Sequence, residues 1–230
     1  MSQPQRPPFT RSTDRRIAII GSGRMGRGLV RQLAPYHQGL LWGSRDPQRL
    51  TAAAAELGVA GSVEPADHDQ ALRADVVILA LWHRDAVTFA DRYADALAGR
   101  IVVDIANPFT DDFEDFTLPE TTSAAEELAR RLPGASVVGA FKNTFWVVLD
   151  DPDFPEGPSD VLVTGDDPAA RRAVIELLTP LPFRVLDAGR LANNRTIERM
   201  TLLGRELAVR HGHYPRISWR LLGAADEQSR

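Results

Sequence analysis

Residues 15–49 read RRIAIIGSGRMGRGLVRQLAPYHQGLLWGSRDPQR, and in that order they give an apolar strand, a glycine turn, a helix and a second strand. The strand Ile17-Ala18-Ile19-Ile20 runs into Gly21-Ser22-Gly23-Arg24-Met25-Gly26, which has G-x-G-x-x-G spacing and opens a helix over 24–34. In a dinucleotide site the first glycine permits the tight turn, and the second lets the backbone approach a pyrophosphate. The third lets the helix sit close to the strand. The pyrophosphate would then meet free N–H groups and the positive end of the helix dipole. The second strand, Leu40-Leu41-Trp42, ends at Gly43-Ser44-Arg45. A carboxylate at that place holds a ribose 2′-hydroxyl, whereas an arginine accommodates a 2′-phosphate. Ser44 and Arg45, with Arg49 one helical turn further on, therefore predict NADP(H). A solvated helix face explains Arg49 alone; it explains Ser44-Arg45 less well, because they stand at the carboxyl end of a strand, where this fold binds ligands.

The chain has 230 residues, which suits one domain with a small appended part. A net charge of -4 without a basic stripe argues against a nucleic-acid partner. With no cysteine, disulfides, zinc-thiolate sites and thiol catalysis are excluded. Residues 1–14, rich in Pro, Gln, Ser and Arg, read as a disordered leader without the apolar core of a signal peptide. No run is apolar enough to span a membrane, so the expectation is a cytoplasmic protein.

Strands and helices alternate beyond residue 49. An alanine-rich helix over 47–57 stops at Gly58, and Val76-Val77-Ile78-Leu79-Ala80-Leu81 reads as a strand buried on both faces. A helix over 84–97 closes at Gly99, and Ile101-Val102-Val103-Asp104-Ile105 is another buried strand, ending in Ala106-Asn107-Pro108. The acidic, aromatic stretch 109–120 has no period and reads as a loop over one rim. Ser123 and Glu126 stand at capping-box spacing ahead of the next helix. Ser136-Val137-Val138-Gly139-Ala140 is a further strand, leading into Phe141-Lys142-Asn143-Thr144. This pattern predicts an α/β fold, a Rossmann-type doubly wound and mostly parallel sheet with a small C-terminal α/β extension. The expected divisions are a dinucleotide-binding domain over 15–150, a small lobe over 151–212 packed on it, and a loose polar tail over 213–230. The lobe would hold strands at 160–164 and 183–186, a helix at 168–178 and a long helix near 193–211.

Taken together, these segments resemble the F420-dependent NADP oxidoreductases. The resemblance rests on Gly21–Gly26, Gly43-Ser44-Arg45, the strand end Asn107-Pro108, residues 137–144, Thr164-Gly165-Asp166-Asp167 and Asp187-Ala188-Gly189-Arg190-Leu191. It covers nearly all of 16–212. The catalytic half of the pyrroline-5-carboxylate reductases is similar more distantly, but that family continues into a helical dimerisation domain. The resemblance implies hydride transfer between NADP(H) and a deazaflavin, coenzyme F420, in a homodimer. Gly21, Ser22, Gly23, Arg24 and Met25 would hold the pyrophosphate, and Ser44, Arg45 and Arg49 the 2′-phosphate. Ala80 and Leu81 would line the adenosine side, with Asn107 and Pro108 near the nicotinamide. The family has an Asn or His facing the reacting ring where this chain has Lys142, with Asn143 beside it. A lysine there could donate a proton or attract an anionic substrate, so both are candidate catalytic residues.

Other features carry less. His83 and Trp82 follow the fourth strand near the cofactor edge, but a loop histidine and a rim aromatic explain them. His211 and His213 suit the end of the last helix. Asp111, Asp112, Glu114 and Asp115 fit no calcium loop, so no metal is expected. The apolar run 145–149 suits either an interface or the core. Two alternatives to the deazaflavin reading stand: an NADPH-dependent reductase of a small imine or carbonyl with Lys142 in its pocket, and a non-catalytic NADP(H)-sensing module.

Overall fold

The computed structural model describes residues 15–223, so the expected leader over 1–14 and residues 224–230 of the tail lie outside the described residues. The chain begins with β1 (Ile17–Ile20), α1 (Arg24–Leu33), β2 (Leu40–Gly43) and α2 (Pro47–Glu56). There follow β3 (Val63–Ala66), α3 (His68–Ala71), β4 (Val76–Leu79), α4 (His83–Leu97) and β5 (Ile101–Asp104). The remainder is α5 (Ala124–Arg131), β6 (Ser136–Gly139), α6 (Trp146–Asp150), β7 (Asp160–Gly165), α7 (Pro168–Leu178), β8 (Arg184–Asp187) and α8 (Asn194–Arg210).

The strands form one eight-stranded sheet in the order β3-β2-β1-β4-β5-β6-β7-β8. The first six are parallel. β7 turns antiparallel against β6, and β8 is parallel to β7. This is a Rossmann-type, doubly wound fold with the 3-2-1-4-5-6 order that puts a ligand crevice where the strand order reverses. β1, β4 and β5 are buried along their whole length, as a parallel strand covered by helices on both faces requires. Leu29, Leu33, Leu50, Leu149 and Val174 pack on one face of the sheet, and Ala86, Phe89, Ala90 and Leu128 on the other. Local sequence sets the helix starts. Asp46 precedes Pro47 and accepts from the Arg49 N–H, Asp167 precedes Pro168 and accepts from the Ala169 and Ala170 N–H groups, and Ser123 accepts from the Glu126 N–H.

β3 and α3 carry no readable period. β3 is Val63-Glu64-Pro65-Ala66, an edge strand in which a proline is tolerated. Residues 160–187 continue the sheet as β7 and β8. Residues 213–223, expected to be loose, bond back to the sheet edge. The Asp160 N–H donates to the Trp219 carbonyl, the Leu221 N–H donates to the Asp160 carboxylate, and Arg184 donates to the Leu221 carbonyl. Half-buried Ile217 packs against the core there, an apolar anchor in a segment of polar composition.

Candidate functional site

The strand order reverses between β1 and β4, and the glycine turn fills the carboxyl end of β1 at that point. Gly21 has φ +124°, which disfavours any side chain, and a Cβ there would collide with the Ala80 carbonyl. Its N–H donates to the Gly43 carbonyl at 3.1 Å, and its own carbonyl accepts from the buried Trp42 indole at 2.9 Å. A Cβ on Gly26 would strike the Gly21 carbonyl. Both glycines are thus required by the protein's own packing. Gly23 is different: it is exposed, and a Cβ there would meet no protein atom within 4 Å. As the N-cap of α1 the position suits glycine but admits Ser, Thr, Asp or Asn equally well; a pyrophosphate against the α1 N-terminus favours the smallest of them. The turn therefore fits a dinucleotide.

Beside it lies a cavity of about 550 Å³, within the usual range for ligand sites. Gly21, Ser22, Ser44, Arg45 and Leu81, which the sequence reading gives to the cofactor, line it. His68, Phe89, Arg92 and Tyr93 also line it and were not foreseen, because α3 has only one turn and the sequence reads α4 only as a helix over 84–97. Other expected residues lie apart from this cavity. Arg49 is exposed and absent from its lining, Ala80 buttresses Gly21 and Gly26, and Met25 packs toward the core. Arg24 places its guanidinium 4.9 Å from the Trp146 ring centroid. Arg45 and Arg92 are the arginines of this lining, and Arg45 is the one the sequence assigns to a 2′-phosphate. A charge-assisted hydrogen bond is worth about 1.5–3 kcal/mol, so Arg45→Ala is expected to weaken NADPH binding roughly ten- to a hundredfold. NADH binding should stay nearly unchanged in a fluorescence titration; equal losses would refute the phosphate contact.

The second constellation sits at the carboxyl ends of β5 and β6. Phe141 adopts a left-handed backbone (φ 55°), costly for a residue with a Cβ, and packs edge-on against Phe183. Lys142 follows it and is fully buried. Its ammonium donates to Asp104 Oδ2 at 2.6 Å, to Glu198 Oε1 at 3.0 Å and to the Ala106 carbonyl. Glu198 also accepts from the Ala124 and Ala125 N–H groups at the start of α5. Burial opposes a charged lysine, but Asp104 and Glu198 outweigh it and hold the ammonium above its ordinary pKa. Burial pushes the Glu198 carboxyl up, only partly offset by Lys142 and the Ala124 N–H. Lys142, a candidate proton donor on the sequence, is thus enclosed and ion-paired in the free chain. The position is enclosed because Glu198, 56 residues away on α8, closes over it.

The same network orients Asn107. Its amide nitrogen donates to the Lys142 carbonyl at 2.8 Å and to Thr201 Oγ1 at 3.3 Å. Asn107 Oδ1 is thereby left as a buried acceptor without a partner among the described residues, a group that native structures seldom leave unused. Asn143 is buried and donates to the Asp160 carbonyl, which ties it to β7. Pro108 is buried beside Asn107. Over this rim, Trp82 is 60% exposed and its ring lies 5.8 Å from that of Phe113, which meets Phe109 in turn at a tilt of 54°. His83 begins α4 and pairs with Glu127 at 3.1 Å.

The chain is similar to several known proteins. Residues 16–108 match the profile of the family described as NADP oxidoreductase, coenzyme F420-dependent. The F420-dependent NADP reductase of Methanocaldococcus jannaschii is 32% identical over 202 residues, spanning 82% of this chain and 90% of that protein. The metalloreductase STEAP3 of Rattus norvegicus is 31% identical over 188 residues, which is 81% of this chain but 36% of that protein. A crystal structure from Arthrobacter sp. FB24, described as a candidate F420-dependent NADP reductase, superposes with a TM-score of 0.76 at 28% identity. It covers 86% of this chain and 95% of that one.

Proposed function

This chain belongs to the F420-dependent NADP oxidoreductase family, and from that premise we propose that it passes a hydride between NADP(H) and a deazaflavin of the F420 type. As a member it is an NADP-dependent oxidoreductase. What supports the finer reading is the membership together with half-buried Asn107 at the end of β5, where the resemblance puts the nicotinamide; its Oδ1 is buried and unpartnered among the described residues, and would accept a carboxamide N–H once uncovered. Fixing the carboxamide sets which face of the ring is presented, and orientation is most of what a protein contributes to hydride transfer. The cofactor supplies the hydride when bound.

The chain's own groups divide the remaining work. Gly23 and the free N–H groups of α1 receive the pyrophosphate, and Arg45 receives the 2′-phosphate. Lys142 holds the Ala106 and Asn107 backbone in place from beneath. Trp82 and Phe113 offer exposed aromatic faces on the rim for a flat acceptor ring and help to exclude water. A deazaflavin takes its accompanying proton from solvent, so no positioned acid is required. The imine or carbonyl reading puts Lys142 in the substrate pocket, and less supports it, because the ammonium is buried and bonded to Asp104, Glu198 and the Ala106 carbonyl.

The test is a spectrophotometric assay with NADPH and oxidised F420, following the visible band of the deazaflavin. Bleaching that needs NADPH and fails with NADH supports the proposal. NADPH binding without bleaching would reject it: cofactor oxidation with imines or carbonyls would then identify a small-molecule reductase, and no turnover with either a sensor.

A further inference from the structure

The cavity beside the glycine turn contains a histidine that no step above uses. His68 is the first residue of α3, and its ring is held edge-on by Phe89 at 5.1 Å and Tyr93 at 5.8 Å, both from α4. The Tyr93 hydroxyl lies 3.4 Å from Nδ1, while Nε2 has no partner among the described residues. Arg45 from the β2–α2 turn and Arg92 from α4 line the same cavity, and Arg92 lies over the Tyr93 ring at 5.2 Å. Three side chains from three elements therefore bring cationic or protonatable nitrogen to one place.

We infer that His68, with Arg45 and Arg92, forms the receptor for the cofactor 2′-phosphate, and that NADPH binding draws one proton from solvent onto His68. In the free protein burial comes first, then Arg45 and Arg92, in holding the imidazole below its ordinary 6.5, so it is neutral at pH 7. The opposing acids are Asp67 and Asp69 beside it and Asp85 on α4; the Asp67 carboxylate is engaged in capping α3 through the Gln70 N–H at 2.8 Å. A bound phosphate carries a charge near −2. Placed between the two arginines, it reverses the local field and favours the charged imidazolium. The bound pKa thus exceeds the free one, and NADPH affinity rises as pH falls from the bound value toward the free one. NADH, lacking the phosphate, shows neither effect.

The inference rests on the adenosine cavity holding the phosphate end, and it is independent of the hydride acceptor. Calorimetric titration of the full chain with NADPH at pH 7, in buffers of different ionisation enthalpy, counts the protons taken up. The parent is expected to take up a substantial fraction of a proton with NADPH and none with NADH. His68→Asn should abolish the uptake and weaken NADPH roughly tenfold while leaving NADH unchanged. Exposed Arg92→Met should likewise weaken NADPH and spare NADH, and its position on the helix surface makes misfolding no explanation. Equal loss of both cofactors in His68→Asn would make His68 an adenine contact and overturn the inference, as would proton uptake that persists in that variant. If Arg45→Ala also fails to discriminate the two cofactors, the cavity assignment itself fails, which is a separate result.

Discussion

Lys142→Ala is expected to lower the unfolding free energy by about 3–5 kcal/mol, the usual cost of removing one partner from a buried ion pair. At roughly 2–4 °C per kcal/mol for a chain of this size, melting should fall by about 6–20 °C. The magnitude follows from burial: the ammonium is fully enclosed, and its loss leaves Asp104 and Glu198 facing each other in a dry site. Lys142→Met tests the charge separately, because it keeps most of the volume and should remain nearly as destabilised. Adding Asp104→Asn should recover part of the loss, since a neutral amide relieves the repulsion. A melting change near zero for Lys142→Ala would mean that water reaches the triad and that the lysine is accessible after all. The linkage has a definite sign. Lys142 is raised, so its contribution is fully present below 10.5 and is lost as pH climbs from there through its folded value. Glu198 is also raised, so its burial costs stability as pH climbs from 4.5 through its folded value. Across that window Glu198→Gln should show a flatter melting profile than the parent.

Gly23→Ala and Gly26→Ala should separate binding from folding within one six-residue turn. Gly26→Ala forces a methyl group into the Gly21 carbonyl, and overpacking of this kind costs about 1–3 kcal/mol or more. Gly23→Ala meets no protein atom and should melt within about 0.5 kcal/mol of the parent. It should nevertheless weaken NADPH and NADH alike by roughly ten- to a hundredfold, because the methyl group occupies the space of the pyrophosphate both share. Unchanged affinity in Gly23→Ala would displace the pyrophosphate from this turn.

The sheet was legible because parallel strands covered on both faces must be written as apolar runs. Val76–Leu79 and Ile101–Asp104 were readable for that reason, and the start of α5 from the capping-box spacing of Ser123 and Glu126. Val63–Ala66 was not, since an edge strand of four residues with a glutamate and a proline has no period to detect. The arginine after β2 could be placed from local order alone. Lys142 could not: its type and position suggested reactivity, and only the fold reveals that Glu198 and Asp104 consume its charge. His68 and Arg92 were equally out of reach, for their meeting depends on how α3 and α4 pack above β2 and β4.

The antiparallel turn at β7 lets the chain come back so that α8 lays Glu198 across the ends of β5 and β6. The Ala124 N–H finds its carboxylate 74 residues downstream, and the Lys142 ammonium one of its two 56 residues downstream. On the ribosome, every element of the glycine cradle emerges well before that acid does. The nascent cofactor half therefore holds Lys142 and Asp104 as a lone pair, and the α5 N–H groups and the third bond of the ammonium wait until the last helix is delivered.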